Sequence, residues 1–131
     1  MKMKMNEEQN KEIKKQIVAL VKQSEHPEKE MCGVIVKAGK KIYVRPVDNV
    51  SETSQLCHYV MSPKHLGEQT EDTNLYRATA ENEFIGFWHT HPHHDSLPSQ
   101  IDITNCMLGK LYYIYSIVED NMRIFKIDGV Y

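Results

Sequence analysis

Residues 86–102 read Gly-Phe-Trp-His-Thr-His-Pro-His-His-Asp-Ser-Leu-Pro-Ser-Gln-Ile-Asp, and this stretch decides how the fold is interpreted. The segment Phe84–His91 is apolar and aromatic as far as a proline, which predicts a strand followed by a loop over residues 92–98. Side chains on a strand alternate between its two faces, so His89 and His91 are expected to lie on the same face. Two imidazoles on one face can share a metal ion.

A helix over Ser99–Leu108, ended by Gly109, is predicted after this loop. The loop is long enough for the helix to fold back over the strand end and bring Asp102 towards the imidazoles. His-x-His with one downstream carboxylate supplies three ligands, and a catalytic zinc site uses three protein ligands and a water. The spacing therefore indicates a zinc centre that could activate water for hydrolysis.

Other interpretations fit the same spacing. Ser99 and Asp102 also match an N-terminal capping box, in which both side chains serve only the helix backbone. Cupins contain His-x-His but lack this alternation of strands and helices, and barrel hydrolases with His-x-His need about 250 residues. His93 and His94 are expected to be exposed loop residues and not further ligands.

Two separated motifs are similar to those of the JAMM (MPN+) metallopeptidases. His89-Thr90-His91-Pro92, six residues, then Ser99-Gln-Ile-Asp102 matches the pattern His-[Ser/Thr]-His-Pro-x6-Ser-x-x-Asp completely. Upstream, Glu30-Met31-Cys32-Gly33 matches the pattern Glu-x-x-Gly, which leads into a strand in that family. The resemblance covers roughly residues 12–128, and the order of the elements also agrees.

The resemblance implies both a fold and a site. The fold class is α/β: the MPN (JAB) fold, a mixed and mostly antiparallel sheet flanked by helices in three layers, α/β/α. One catalytic zinc ion is implied, with Asp102 turned to the metal instead of to the helix backbone. Glu30 is implied to be the general base for water, and Ser99 a hydrogen-bond donor to the oxyanion. The implied metal ligands are His89, His91 and Asp102.

The rest of the chain supplies the elements of a single domain over residues 1–131. An N-terminal helix is predicted over about 7–24, because Asn6 is a good N-cap and apolar residues recur on one helical face. Ser62-Pro63 predicts the start of a short helix, and the polar segment 67–82 fits either a helix or a loop. The predicted strands are Met31–Val36, residues 42–47, Leu56–Met61, Phe84–His91, Leu111–Val118 and Met122–Ile127.

Composition limits the partners and the compartment. The net charge of −2 and the pI of about 6.4 argue against a nucleic-acid partner, which usually leaves a basic footprint. Three scattered cysteines without C-x-x-C spacing predict a reducing compartment, and Cys32 is expected to be a small buried residue and not a nucleophile. The first residues lack a secretory signal, and the longest apolar run, Leu111–Val118, is too short to span a membrane. A cytoplasmic protein without a membrane partner is therefore predicted.

The resemblance also implies a protein substrate. Members of the family remove ubiquitin-like or sulfur-carrier proteins after a C-terminal glycine, and others resemble phage tail-tip or cell-wall peptidases. Gly109-Lys110 leads directly into Leu111, so the insertion with a second zinc that eukaryotic deubiquitinases carry is missing, which implies a minimal prokaryotic or phage enzyme. A variable loop is expected over 64–82 near the cleft, where a substrate tail could add a strand to a sheet edge. A non-catalytic MPN module and a metal-sensing protein that uses His89–His94 are the alternatives.

Overall fold

The computed structural model describes residues 5–52, 59–70, 82–99, 102 and 109–126. Its strands form one five-stranded sheet in the order β2-β1-β3-β4-β5. The β3–β4 pair is parallel, and the other three pairs are antiparallel. The predicted mixed, mostly antiparallel α/β sheet is therefore confirmed. The elements are α1 (Glu7–Gln23), β1 (Cys32–Ala38), β2 (Lys41–Val47), α2 (Pro63–Thr70), β3 (Asn82–His91), β4 (Leu111–Ser116) and β5 (Asn121–Lys126).

Helix α1 begins where the sequence predicts and ends one residue earlier. Asn6 is its N-cap: the Asn6 side chain accepts the Gln9 backbone N–H at 2.8 Å, and the Gln9 side chain accepts the Asn6 N–H at 2.9 Å. This capping box satisfies two backbone donors that a helix start otherwise leaves unpaired. Ile13 and Ile17 are fully buried beneath the helix. Each contributes roughly 1.5–3 kcal/mol through burial.

The two helices lie on opposite faces of the sheet. Consecutive residues of β1 separate into two apolar clusters, because strand side chains alternate between faces. Ile35 packs in the same cluster as Ile13 of α1, whereas Val34 belongs to the cluster against which Leu66 of α2 packs. The described part of the chain thus has the three layers, α/β/α, that the sequence predicts.

Strand β3 carries one extra residue relative to β1. Ile35 pairs with Gly86 but Val36 pairs with Phe84, so Ile85 bulges out of the ladder. Beyond the bulge, Cys32 pairs with His89. Paired residues share a face, and Cys32 lies on the same face of β1 as Val34. His89 therefore lies on the α2 side of the sheet and not on the α1 side.

The predicted strand Leu56–Met61 differs from the structure. Residues 56–58 lie outside the described residues, and Met61 makes only an isolated antiparallel bridge with Asn49. The short helix predicted from Ser62 is confirmed as α2, so residues 64–70 are helical and not part of a variable loop. Residues 71–81 and most of the helix predicted over Ser99–Leu108 lie outside the described residues.

The closing hairpin is confirmed, with β4 shorter than predicted and β5 starting one residue earlier than predicted. β4 ends at Ser116 instead of Val118, and β5 begins at Asn121. The turn between them includes Asp120 in a left-handed conformation (φ 50°), a region that aspartate tolerates better than most residues. Tyr115 donates its hydroxyl hydrogen to Asp120 Oδ1 at 2.6 Å, which holds the turn against β4.

Side-chain amides cover the outer edge of β2. Gln16 of α1 donates to the Ile42 carbonyl oxygen and accepts the Val44 N–H, both at 2.7 Å. Gln69 of α2 donates to the carbonyl oxygen of Pro46 at 3.0 Å. These bonds use the backbone groups that an edge strand otherwise offers to another strand. An extended peptide would have to displace both amides to pair with this edge.

No helix within the described ranges combines the length and the apolar character that a membrane crossing requires.

Gly33 of the Glu-x-x-Gly motif lies beneath a buried indole. Trp88 is fully buried, and its Nε1 donates a hydrogen bond to the Arg45 carbonyl oxygen at 3.1 Å. A Cβ atom at position 33 would overlap both that carbonyl oxygen and the indole ring. Glycine is therefore required at position 33, because the Arg45 carbonyl oxygen and the Trp88 indole approach the backbone of β1 too closely for a side chain. This close packing holds β1, the strand that follows Glu30, against β2 and β3.

We expect Gly33→Ala to lower the free energy of unfolding by about 2–3 kcal/mol, because the added methyl group forces apart packed backbone and indole. Gly67→Ala in α2 is the matched control: a Cβ there meets no atom within 4 Å. Alanine should raise stability there by about 0.5–1 kcal/mol, since glycine weakens a helix interior. Urea denaturation measures both. Equal effects of the two substitutions would contradict this explanation of Gly33.

Candidate metal centre

Glu30 is brought to the centre by the start of β1. The Met31 carbonyl oxygen accepts the Thr90 N–H, and the Met31 N–H donates to Thr90 Oγ1, both at 2.9 Å. Asn49 Nδ2 donates to the Glu30 carbonyl oxygen at 2.9 Å from the other side. Thr90, the residue between the two histidines, thus holds the backbone next to Glu30 in place. The Glu30 side chain is buried (4% exposed).

His89 and His91 lie on one face of β3, as the sequence predicts. Both rings are buried, and their Nε2 atoms are 3.1 Å apart. One ligand atom each from Glu30, His89 and His91 lies within 4.8 Å of the others, which makes this a group that could hold a metal ion. The structure therefore brings Glu30 next to two histidines that lie about sixty positions further along the chain.

Asp102 lies against both imidazoles. Its Oδ2 lies 3.3 Å from His89 Nε2 and 3.2 Å from His91 Nε2. The same oxygen accepts the Ser99 N–H at 2.8 Å, and the Asp102 N–H donates to Ser99 Oγ at 3.1 Å. The expectation that Asp102 turns away from the backbone is thus wrong: the reciprocal capping bonds and the contacts with the imidazoles are both present.

The protonation of His91 makes these contacts fit a cation. His91 Nδ1 lies 2.7 Å from the Asp95 carbonyl oxygen, which can only accept, so Nδ1 carries the hydrogen of the neutral ring. In that neutral form His91 Nε2 has no hydrogen and lies 3.2 Å from Asp102 Oδ2 and 3.1 Å from His89 Nε2. Either a proton on an imidazole Nε2 or a metal cation among these atoms removes the repulsion between their lone pairs. Two imidazole nitrogens and a carboxylate oxygen are the donors that zinc accepts.

The two carboxylates of the centre differ in their affinity for protons. The pKa of Glu30 is raised to about 7, chiefly by burial; a charged His91 opposes the rise, and the negative charge of Asp102 adds to it. Burial also raises the pKa of Asp102, but hydrogen bonds from His89 and His91 outweigh burial and hold it below its usual value. Asp102 therefore stays ionised at neutral pH, whereas Glu30 can take up and release a proton there.

The histidines differ in the same way. Burial lowers the pKa of His89, which keeps that ring neutral. Burial lowers the pKa of His91 as well, but the bonds to Asp102 and to the Asp95 carbonyl outweigh it and raise the pKa above its usual value. The raised pKa favours the protonated form of His91 beside the ionised Asp102, and a metal ion bound there would displace that proton.

Ser99 lies at the exposed side of the centre. Its oxygen accepts the Asp102 N–H, so its hydroxyl hydrogen is available to another acceptor. This position suits the oxyanion donor that the sequence predicts.

Two aromatic rings flank the imidazoles, and no pattern in the sequence indicates either contact. The Tyr59 ring lies against His89, with centroids 4.6 Å apart. The His94 ring is stacked on His91, with centroids 4.2 Å apart and an angle of 5° between the planes. His93 and His94 are exposed, as predicted, and His93 Nε2 lies 3.1 Å from the Glu28 carbonyl oxygen.

Cys32 is a buried residue, as predicted. Its Sγ donates to the Val47 carbonyl oxygen at 3.4 Å, and burial raises the pKa of the thiol to about 12. A nucleophilic cysteine needs a thiolate, which this environment suppresses.

The raised pKa of Glu30 makes stability depend on pH in the metal-free protein. Between about pH 4.5 and 7 the folded state holds a proton on Glu30 that the unfolded chain has released, so stability falls as the pH rises through this window. The glutamine of Glu30→Gln cannot ionise, so the stability of this variant does not fall in the same way as the pH rises. In the presence of a chelator, we expect the stability of the variant relative to the parent to rise by roughly 3 kcal/mol between pH 4.5 and 7, and no further above pH 7. Urea titrations at several pH values measure the difference, and a difference that does not change with pH would contradict the buried, protonated Glu30.

Comparison with known proteins agrees with this fold. The solution structure of protein DSY2949 from Desulfitobacterium hafniense is similar, with a TM-score of 0.59 over 86% of this chain and 87% of that chain at 19% sequence identity. At this identity the likeness concerns the fold. No curated protein matches the chain. The family described as prokaryotic homologs of the JAB domain matches residues 11–128. The chain therefore belongs to the family of prokaryotic JAB-domain proteins.

Proposed function

We propose that this protein is a zinc-dependent peptidase or isopeptidase that cleaves after the C-terminal glycine of a ubiquitin-like or sulfur-carrier protein. The observation that carries the proposal is that the buried imidazoles of His89 and His91 lie next to two carboxylates. The pKa of one carboxyl group, Glu30, is raised, and the pKa of the other, Asp102, is lowered. Membership of the JAB family supports a metal-dependent hydrolase. The substrate and the identity of the metal are parts of the proposal.

The choice between the two carboxylates follows from their environments. We assign Asp102 as the third metal ligand, because it stays ionised and its Oδ2 is equally close to both Nε2 atoms. The other two ligands are His89 and His91. Bound zinc would supply a Lewis acid that polarises the substrate carbonyl and lowers the pKa of water.

Glu30 is left with the role of general base. Burial raises the pKa of this carboxyl group to about 7 in the metal-free protein, and a zinc ion beside it would lower the pKa again, which favours the carboxylate that accepts a proton from water. In this role the carboxylate removes a proton from the attacking water and later gives it to the leaving amine. The buried position of Glu30 keeps that proton from bulk solvent.

Ser99 is assigned to the developing oxyanion. Its hydroxyl oxygen is oriented by the Asp102 N–H, and the hydrogen it can donate stabilises negative charge on the carbonyl oxygen.

The substrate tail has to approach away from β2. The side-chain amides of Gln16 and Gln69 already bond backbone groups at the outer edge of that strand. A substrate tail therefore could not add a strand at this edge without displacing them. The sequence predicts strand addition near residues 64–82. The exposed residues of loop 92–98 lie next to the centre and offer a different route. Crosslinking a peptide that ends in Gly-Gly tests this: labels on loop 92–98 support the route, and labels on β2 oppose it.

We expect Glu30→Gln to keep its zinc and to lose hydrolysis by about 10²–10⁴-fold, because the amide cannot move a proton. The measurements are zinc content by mass spectrometry and cleavage of a fusion joined through a Gly-Gly tail. Cys32→Ala is the matched control beside Glu30 and should keep both properties.

The outcomes separate the alternatives. His91→Ala should lose zinc and activity together. Zinc binding without cleavage of any Gly-Gly-tailed fusion, in the parent and in Glu30→Gln alike, would indicate a metal-binding protein. A parent that binds no zinc would indicate a non-catalytic JAB module.

Ser99→Ala should lower kcat by about 10²–10³-fold and leave KM and zinc content unchanged, since the hydroxyl acts on charge that exists only in the transition state. Loss of the bond from the Asp102 N–H should lower stability by only about 1 kcal/mol. Ser99→Thr retains the hydroxyl and should recover most of the rate. If Ser99→Ala lost zinc and rate in parallel, Ser99 would be a support for Asp102 and not an oxyanion donor.

A further inference from the structure

The ring of His91 needs an external constraint to stay aimed at the centre. Rotation about the bond between Cβ and the ring is broad and roughly two-fold for histidine, so bonded geometry alone does not fix the plane. The hydrogen bond from Nδ1 to the Asp95 carbonyl oxygen aims one ring edge. It leaves the ring face free to tilt unless another group packs against that face.

His94 supplies that packing. Its ring lies 4.2 Å from the His91 ring, centroid to centroid, and the two planes are parallel within 5°. His89 lies on the centre side of His91 at 4.9 Å and an angle of 59°. For His91 to turn about its ring bond, its edge would have to sweep through the space that His94 occupies.

The backbone holds His94 in this place. The His94 carbonyl oxygen accepts the hydroxyl hydrogen of Ser116 at 2.7 Å, and Ser116 is fully buried at the end of β4. Ser116 is also the residue that pairs with His91 in the parallel β3–β4 ladder. His94 and the His91 ring that it covers are therefore both held by contacts with Ser116, one through a hydrogen bond and the other through strand pairing.

The stacked geometry is incompatible with His94 being another ligand of the same ion. A metal ion bound by His91 lies in the plane of that ring, and stacked rings are separated by roughly 3.5 Å. Zinc binds imidazole nitrogen in the ring plane at about 2.0–2.1 Å, so an ion in the His91 plane is too far out of the His94 plane.

We propose that His94 is a positioning residue, whose stacked ring fixes the plane of His91 and so keeps Nε2 directed at the metal centre. The inference rests on the proposed metal site for its consequence, but the ring orientation itself exists in the metal-free protein. The nitrogens of His94 have no part in the mechanism, and a flat apolar ring should serve as well.

The test compares His94→Ala, His94→Phe and, as the matched control, His93→Ala, which removes the neighbouring exposed histidine. The first measurement is the zinc Kd by competition with a chromophoric chelator. The second is the tautomer of His91 in the metal-free protein, from long-range proton–nitrogen NMR spectra. Amide spectra establish that each variant is folded.

We expect His94→Ala to raise the zinc Kd by about 10-fold or more, the usual effect of losing a group that orients a ligand. At a pH high enough for the metal-free His91 ring to be neutral, the ring should change from the single Nδ1-protonated tautomer to a mixture of both tautomers. His94→Phe should restore both properties, and His93→Ala should match the parent.

Two results would overturn the inference: parent-like behaviour of His94→Ala, or failure of His94→Phe to rescue, which would mean that a His94 nitrogen is required. A parent that binds no zinc would remove the proposed function. The tautomer measurement would then still decide whether His94 orients His91.

Discussion

The antiparallel pairing of β1 with β3 is the constraint on which the centre depends. Cys32 pairs with His89, and the chain before it is fastened to Thr90 by one backbone and one side-chain hydrogen bond. The placement of the Glu30 side chain depends on this register, because a shift of one residue would turn the side chain to the opposite face of the sheet. Gly33 permits the register by leaving room for the Trp88 indole.

Burial gives the centre its chemistry and creates an electrostatic problem. Ionised carboxylates and imidazole lone pairs are costly in an apolar interior unless opposite charge or hydrogen bonds compensate them. The Ser99 N–H and the Asp95 carbonyl orient single groups, but they leave the Nε2 atoms of His89 and His91 facing Asp102 Oδ2. A divalent cation among them would bind the lone pairs of all three atoms at once, and in the metal-free protein the same burial raises the pKa of Glu30 to about 7.

Much of the fold could be predicted from local sequence patterns. The periodicity of α1, the alternation in β2 and the glycine turn between β1 and β2 each reflect physics within a few residues. The motif residues also predicted which side chains would meet at the centre. The missed contacts of Tyr59 with His89 and of Gln16 with β2 join segments far apart in the chain, and no spacing rule marks them. The stacking of His94 on His91 is local, but it depends on the path of the loop and not on a regular spacing. The bulge at Ile85 and the dual bonding of Asp102 likewise depend on how elements pack, and the segment before Met61 forms a single bridge where a strand was predicted.

The central claim is that one zinc ion is held by His89, His91 and Asp102 while Glu30 stays free to move a proton. Diffraction data collected at the zinc absorption edge, from crystals grown with zinc, test it most directly. The account predicts one anomalous peak about 2.0–2.2 Å from both Nε2 atoms and from an Asp102 carboxylate oxygen, with Glu30 beside it but outside bonding distance. A peak bonded to Glu30 in place of Asp102, or to His93 or His94, would contradict it.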